Sequence, residues 1–186
     1  MAPILGIYAS QISGHLFAPS GAYDSIATTT VGAGGVSSVT FSSIPSTYTH
    51  LQVRFISKLS AGDDVIMRFN GDTANNYWNH ILYGNGSSAT ASVPFSGAYS
   101  GIALYYTGST ASVAGGVIDV LDYTSTSKNK TVRFLGGYDD NGSGNIDLAS
   151  GSWSATPAAI NSIVIKPVSA NFAQYTQIAL YGIRGN

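Results

Sequence analysis

The side chains able to do acid–base chemistry in this 186-residue chain are nine aspartates and three histidines, because glutamate and cysteine are both absent. Paired carboxylates that exchange protons need a shared, desolvated site. Asp63, Asp64, Asp72, Asp139 and Asp140 fall in expected turns, where water keeps a carboxyl ordinary, and Asp119 and Asp122 lie on opposite faces or at the end of one expected strand. No G-x-S-x-G elbow is present, and neither H-x-H nor H-E-x-x-H spacing links His15, His50 and His80. His50 and His80 read as polar-face strand residues. No catalytic residue, metal site or cofactor is expected.

Two patterns come closer to a site. Asp139, Asn141, Ser143, Asn145 and Asp147 alternate around Gly144 like the front half of a calcium loop, but the position of the bidentate glutamate is Ser150. A plain hairpin loop is the expectation, with weak calcium binding as the alternative. Tyr77, Trp78 and Tyr83 stand beside Asn-rich loops, and Tyr99, Tyr105, Tyr106 and Trp153 follow in later strands. Aromatic faces next to amide groups suit sugar rings, yet the same residues serve equally as core or subunit-interface filling.

Composition points the same way. Only 9% of residues are charged, against about 25% in ordinary globular domains. With a net charge of −1 and no basic run, the field that attracts phosphate backbones or anionic membranes is missing, so neither nucleic acid nor membrane is an expected partner. Met1 to Phe17 has neither a basic leader nor a continuous apolar run, so no signal peptide or anchor is expected. Without cysteine, stability rests on packing and strand pairing. So few charges resist association poorly, which implies a surface largely covered by partners.

The elements that must position these residues are strands. Residues 1–22 interleave Ile4, Leu5, Ile7, Tyr8, Ile12, Leu16 and Phe17 with prolines and glycines, and read as an extended N-terminal arm whose apolar residues contact a partner, or as a first edge strand. From residue 23 to 186 the chain alternates with the two-residue period of a single β-sandwich domain. Leu51, Val53 and Phe55 oppose His50, Gln52 and Arg54. Strands are expected near 24–31, 36–42, 50–55, 64–69, 77–83, 101–106, 116–123, 130–136, 145–150, 159–166 and 175–183, enough for an all-β, antiparallel, jelly-roll-like sandwich. Residues 31–36 read as a hairpin loop, and Asn70-Gly71, Asn85-Gly86 and Asn141-Gly142 as tight turns. Strands 116–123 and 175–183 are apolar on both faces, which suits central strands or cover by a neighbouring subunit.

Several stretches together resemble a family of tailed-bacteriophage virion proteins, of the kind found in marine phages and cyanophages. They are Phe41-Ser-Ser-Ile-Pro45-Ser-Thr-Tyr48-Thr-His-Leu51-Gln-Val-Arg54, Arg68-Phe-Asn70-Gly-Asp-Thr73 with Tyr77, Leu82-Tyr-Gly-Asn-Gly-Ser87, Gly151-Ser-Trp153, Asn171-Phe-Ala-Gln-Tyr175 and Ala179-Leu-Tyr-Gly-Ile183. The resemblance spans residues 23 to 183 and carries no catalytic motif. It implies a structural protein on the virion. The first expectation is a capsid cement, or decoration, protein, a homotrimer that binds the major capsid protein and stabilises the head. The alternative is a tail-fibre or tail-tip module that holds a host glycan through Tyr77 and Trp78. A depolymerising hydrolase would have to work through Asp119 and Asp147 without clustered acids.

Overall fold

The computed structural model describes residues 22–93, 99–107, 110–155 and 157–185. The arm residues Ile4, Leu5, Ile7, Tyr8, Ile12, Leu16 and Phe17 lie outside them. Among the described residues there is no helix, and twelve strands form an all-β antiparallel sandwich. They are β1 (Tyr23–Thr30), β2 (Val39–Phe41), β3 (His50–Lys58), β4 (Asp63–Phe69), β5 (Tyr77–Gly84), β6 (Ala89–Ser92), β7 (Ile102–Thr107), β8 (Val113–Leu121), β9 (Lys130–Asp139), β10 (Gly144–Trp153), β11 (Ile163–Pro167) and β12 (Gln177–Ile183). An eight-stranded sheet runs β1-β12-β3-β8-β9-β10-β5-β6, and a four-stranded sheet runs β2-β11-β4-β7.

The expected alternation makes the core. Leu51, Val53 and Phe55 of β3 face inward beside Ile118 and Val120 of β8 and Val132 and Phe134 of β9, and all are buried. From the smaller sheet Tyr105 stacks on Phe55 at 4.6 Å between ring centroids and lies 5.9 Å from Phe134. Its hydroxyl is satisfied by Ser57 Oγ at 2.5 Å, as a buried phenol requires. The strands apolar on both faces, β8 and β12, are interior strands of the larger sheet.

The turns separate into two kinds. Asn85-Gly86 and Asn141-Gly142 close hairpins, with Asn85 N–H donating to Ser88 O at 3.2 Å and Asp140 N–H to Ser143 O at 2.7 Å. Asn141 and Gly142 both have positive φ (56° and 118°), the backbone that suits a two-residue hairpin. Residues 31–36, expected as a hairpin loop, instead carry the chain from β1 in the larger sheet to β2 in the smaller. A turn at Gly32–Gly35 and a bridge from Val36 to Phe172 hold this crossing. Asn70-Gly71 is the expected tight turn, with positive φ at both residues (51° and 71°) and Asp72 N–H donating to Phe69 O at 2.9 Å, and it lies on the crossing from β4 to β5.

Lys130 is buried at the start of β9, and its ammonium donates to the carbonyls of Ser125 and Lys128. Burial lowers its pKa against the opposing influence of Asp122. Lys130→Met keeps the stem but removes these charge-assisted bonds, so it should cost about 2 kcal/mol in a urea melt. An unchanged midpoint would show that the ammonium holds nothing.

Candidate functional site

The residues that carry the sequence resemblance converge, but on the fold. Asn70 has φ 51°; its Oδ1 accepts from the N–H groups of Asn161 (2.9 Å) and Ser162 (3.2 Å), and its Nδ2 donates to Ala159 O (2.8 Å). Asp72 Oδ2 accepts from Trp153 Nε1 at 2.7 Å and from Asn76 Nδ2 at 2.9 Å, while Oδ1 accepts from Ala74 N–H at 2.9 Å. Tyr77, fully buried, accepts from Phe69 N–H at 3.0 Å and donates to Asp72 O at 3.1 Å. At the same end of the strands, further across the larger sheet, the Tyr123 hydroxyl donates to Pro45 O, and the Tyr48 ring lies where a side chain at Gly182 would stand. These bonds anchor crossings between sheets.

The aspartates are similarly employed. Asp24 pairs with Arg184, Asp119 accepts from Gln52, Asp122 pairs with Lys128, and Asp140 accepts from Ser112. Asp63 accepts from the N–H groups of Ser169 and Ala170. Burial pushes Asp72 up, but the bonds from Asn76, Trp153 and Ala74, with the charge of Arg68, outweigh it and hold the carboxyl below its ordinary value. Two expectations of ordinary turn carboxyls are therefore corrected. Asp72 is wired into the loop, and Asp64 is a half-buried residue of β4 whose pKa is raised by burial and then by Asp63.

Asp147 is the exception. It faces the core from β10, in register with Gly136 of β9 and Tyr83 of β5, and is 2% exposed. Its Oδ2 has no hydrogen-bond partner, and burial followed by the charge of Asp64 pushes its pKa up to about 6. The front-half calcium pattern does not assemble around it, because Asp139 and Asn141 are exposed in the hairpin while Asp147 points inward. Among the described residues no group of three or more histidine or acidic side chains could hold a metal ion.

The aromatic candidates divide. Tyr77, Tyr105 and Trp153 are core residues, so the expectation that Tyr77 contacts a glycan is corrected by its burial. Trp78 is exposed on the outer face of the larger sheet, in register with Ser152.

That outer face is the most distinctive surface of the molecule. Strand register sets Val117, Leu135, Leu148 and Leu82 side by side across β8, β9, β10 and β5. Leu135 is 55% exposed, Leu148 52% and Leu82 49%. One step along the strands, Ile56, Gly115, Gly137, Ile146 and Gly84 form the adjacent row, with Ile146 64% exposed. A step the other way lie Asp119, Arg133, Ser150 and His80. The polarity of β10 is inside out at this point: Ile146 and Leu148 face solvent while Asp147 between them faces the core. A strand's two-residue period means that slipping by one would reverse this, but Ala149, Gly151 and Trp153, buried further along β10, hold the register.

Comparison with known proteins finds no matching family model, no matching curated protein and no matching solved structure.

Proposed function

We propose that the chain is a structural subunit of a tailed-phage particle, a capsid cement protein that binds the major capsid protein and copies of itself and performs no chemistry. The observation that carries this reading is the uncovered apolar face of the larger sheet, on a sandwich whose aspartates mostly serve hydrogen bonds and ion pairs within the fold. Exposed apolar patches on soluble domains mark surfaces that are covered in use. The resemblance of residues 23–183 to virion proteins supplies the setting, and the apolar residues of 1–22 supply a second adhesive element. Burial of such side chains contributes about 25 cal/mol per Å² before ordering costs.

The test is binding of the purified chain to expanded, undecorated heads. Deleting residues 1–20 should abolish sedimentation with the heads, and undiminished binding would remove the arm from the mechanism. A second reading, a tail module that holds a host glycan, draws on the exposed Trp78 with Ser152 and His80 nearby on the same face. It requires saturable binding to host polysaccharide that Trp78→Ala eliminates.

A further inference from the structure

We infer that the outer face of β8, β9, β10 and β5 is a two-fold interface, on which a second copy of this chain stacks sheet to sheet with the axis passing near Leu148. The inference rests on the adhesive reading of that face, but not on the particle to which the chain belongs.

Four observations select this occupant. The row Val117, Leu135, Leu148 and Leu82, with Ile56, Val113 and Ile146, makes an apolar surface of the order of several hundred Å², approaching the roughly 800 Å² that each partner of a stable complex covers. Its relief is self-complementary. Gly84, Gly115 and Gly137 stand in the row beside the side-chain ridge, and an open depression of ≈ 730 Å³ between the β5–β6 and β9–β10 hairpins, walled by Leu135 and Ile146 and edged by Asn85, Asp139 and Asn145, takes in Gly84 and Gly137. The ridge of one copy can enter the trough of the other, and antiparallel sheets of equal twist stack about 10 Å apart in this manner.

The chemistry of the centre suits an apolar partner. A sugar would find no aromatic face at the centre, since Trp78 lies at its margin, and would meet hydrogen-bonding side chains only along the edge where His80, Arg133 and Ser150 adjoin Leu148 and Leu82. Charges border the patch on two sides, Asp119 and Arg133 in one row and Arg54 and Lys58 on β3 beside Val117 and Val113, and leave its centre uncharged. Symmetry argues for a pair over the expected homotrimer. A ring of three needs two different patches that fit each other, whereas a two-fold pair needs one patch that fits itself.

Equilibrium sedimentation of the full chain tests this. Twice the 19.2 kDa chain mass is expected, and Leu148→Lys and Leu135→Lys should each raise the dissociation constant about 100-fold with circular dichroism unchanged, because both side chains already meet solvent. The chain has no cysteine, so Leu148→Cys introduces a unique thiol that should oxidise to a covalent pair. Thr40→Cys, exposed on β2 of the smaller sheet, should not. A single-chain mass at about 100 µM, well above the dissociation constants of stable complexes, would overturn the inference, as would a three-chain mass or a pair that survives both lysines. A single chain that pairs only after residues 1–20 are removed would also overturn it, by assigning the face to the chain's own leader. Retained binding to heads by a single-chain species would leave the adhesive reading standing while the pair falls.

Discussion

Trp153→Ala should lower the unfolding free energy by about 5 kcal/mol, a loss comparable to the whole stability of many domains. The indole is buried among Phe69, at 5.7 Å between centroids, and Tyr77, at 6.4 Å, so its removal opens a cavity that β10 and β5, pinned by their ladders, cannot collapse. It also strips Asp72 of its bond to Nε1. Trp153→Phe separates the two contributions. It retains most of the packing and loses the bond to a charged acceptor, for about 2 kcal/mol. Urea melts of both variants should rank wild type, Phe, Ala, and equal losses would show that the Asp72 bond alone sets the effect.

Asp147→Asn should change the pH dependence of stability more than any other single replacement. The folded-state pKa is raised, from 3.8 to about 6, so between those values the folded chain binds more protons than the unfolded one. Stability therefore falls as pH rises through this window. The penalty is complete above about pH 6 and amounts to about 3 kcal/mol. An asparagine cannot ionise, so the variant should melt higher than wild type at pH 7 and lose most of the slope between pH 4 and 6. A wild-type slope in Asp147→Asn would assign the titration to Asp64.

The physical limits of reading such a chain show in particular residues. Leu51, Val53 and Phe55 alternate with polar neighbours, and β3 stands where that alternation places it, with one face buried. β6 was not legible, because Ala89-Thr-Ala-Ser92 has no apolar period to report burial; it is a four-residue edge strand held by pairing to β5. Residues 31–36 read as a hairpin loop from their glycines, and 70–71 as the tight turn that it is, but glycine specifies local backbone freedom and says nothing about which sheet receives the next strand. β10 was the most misleading element. Taken alone, Ile146-Asp147-Leu148 puts two aliphatic residues inside and a carboxylate outside, and only the anchoring of Ala149 and Trp153 in the core reverses it. Consistency between local pattern and fold breaks here, as it does where a surface is kept for another use, and the legible signs of such a surface are the low charge density and the two-faced apolar character of 116–123 and 175–183. The motif residues Asn70, Asp72, Tyr77 and Trp153 were visible as a set, but nothing in their spacing announced that they hydrogen-bond the loops of a sandwich together.

Counting the copies of this chain per purified particle, by quantitative mass spectrometry against the major capsid protein, bears most directly on the proposed role as a shell-binding adhesive subunit. Shell symmetry requires on the order of hundreds of copies, in fixed proportion to the capsid protein. A handful of copies, or none, would contradict it.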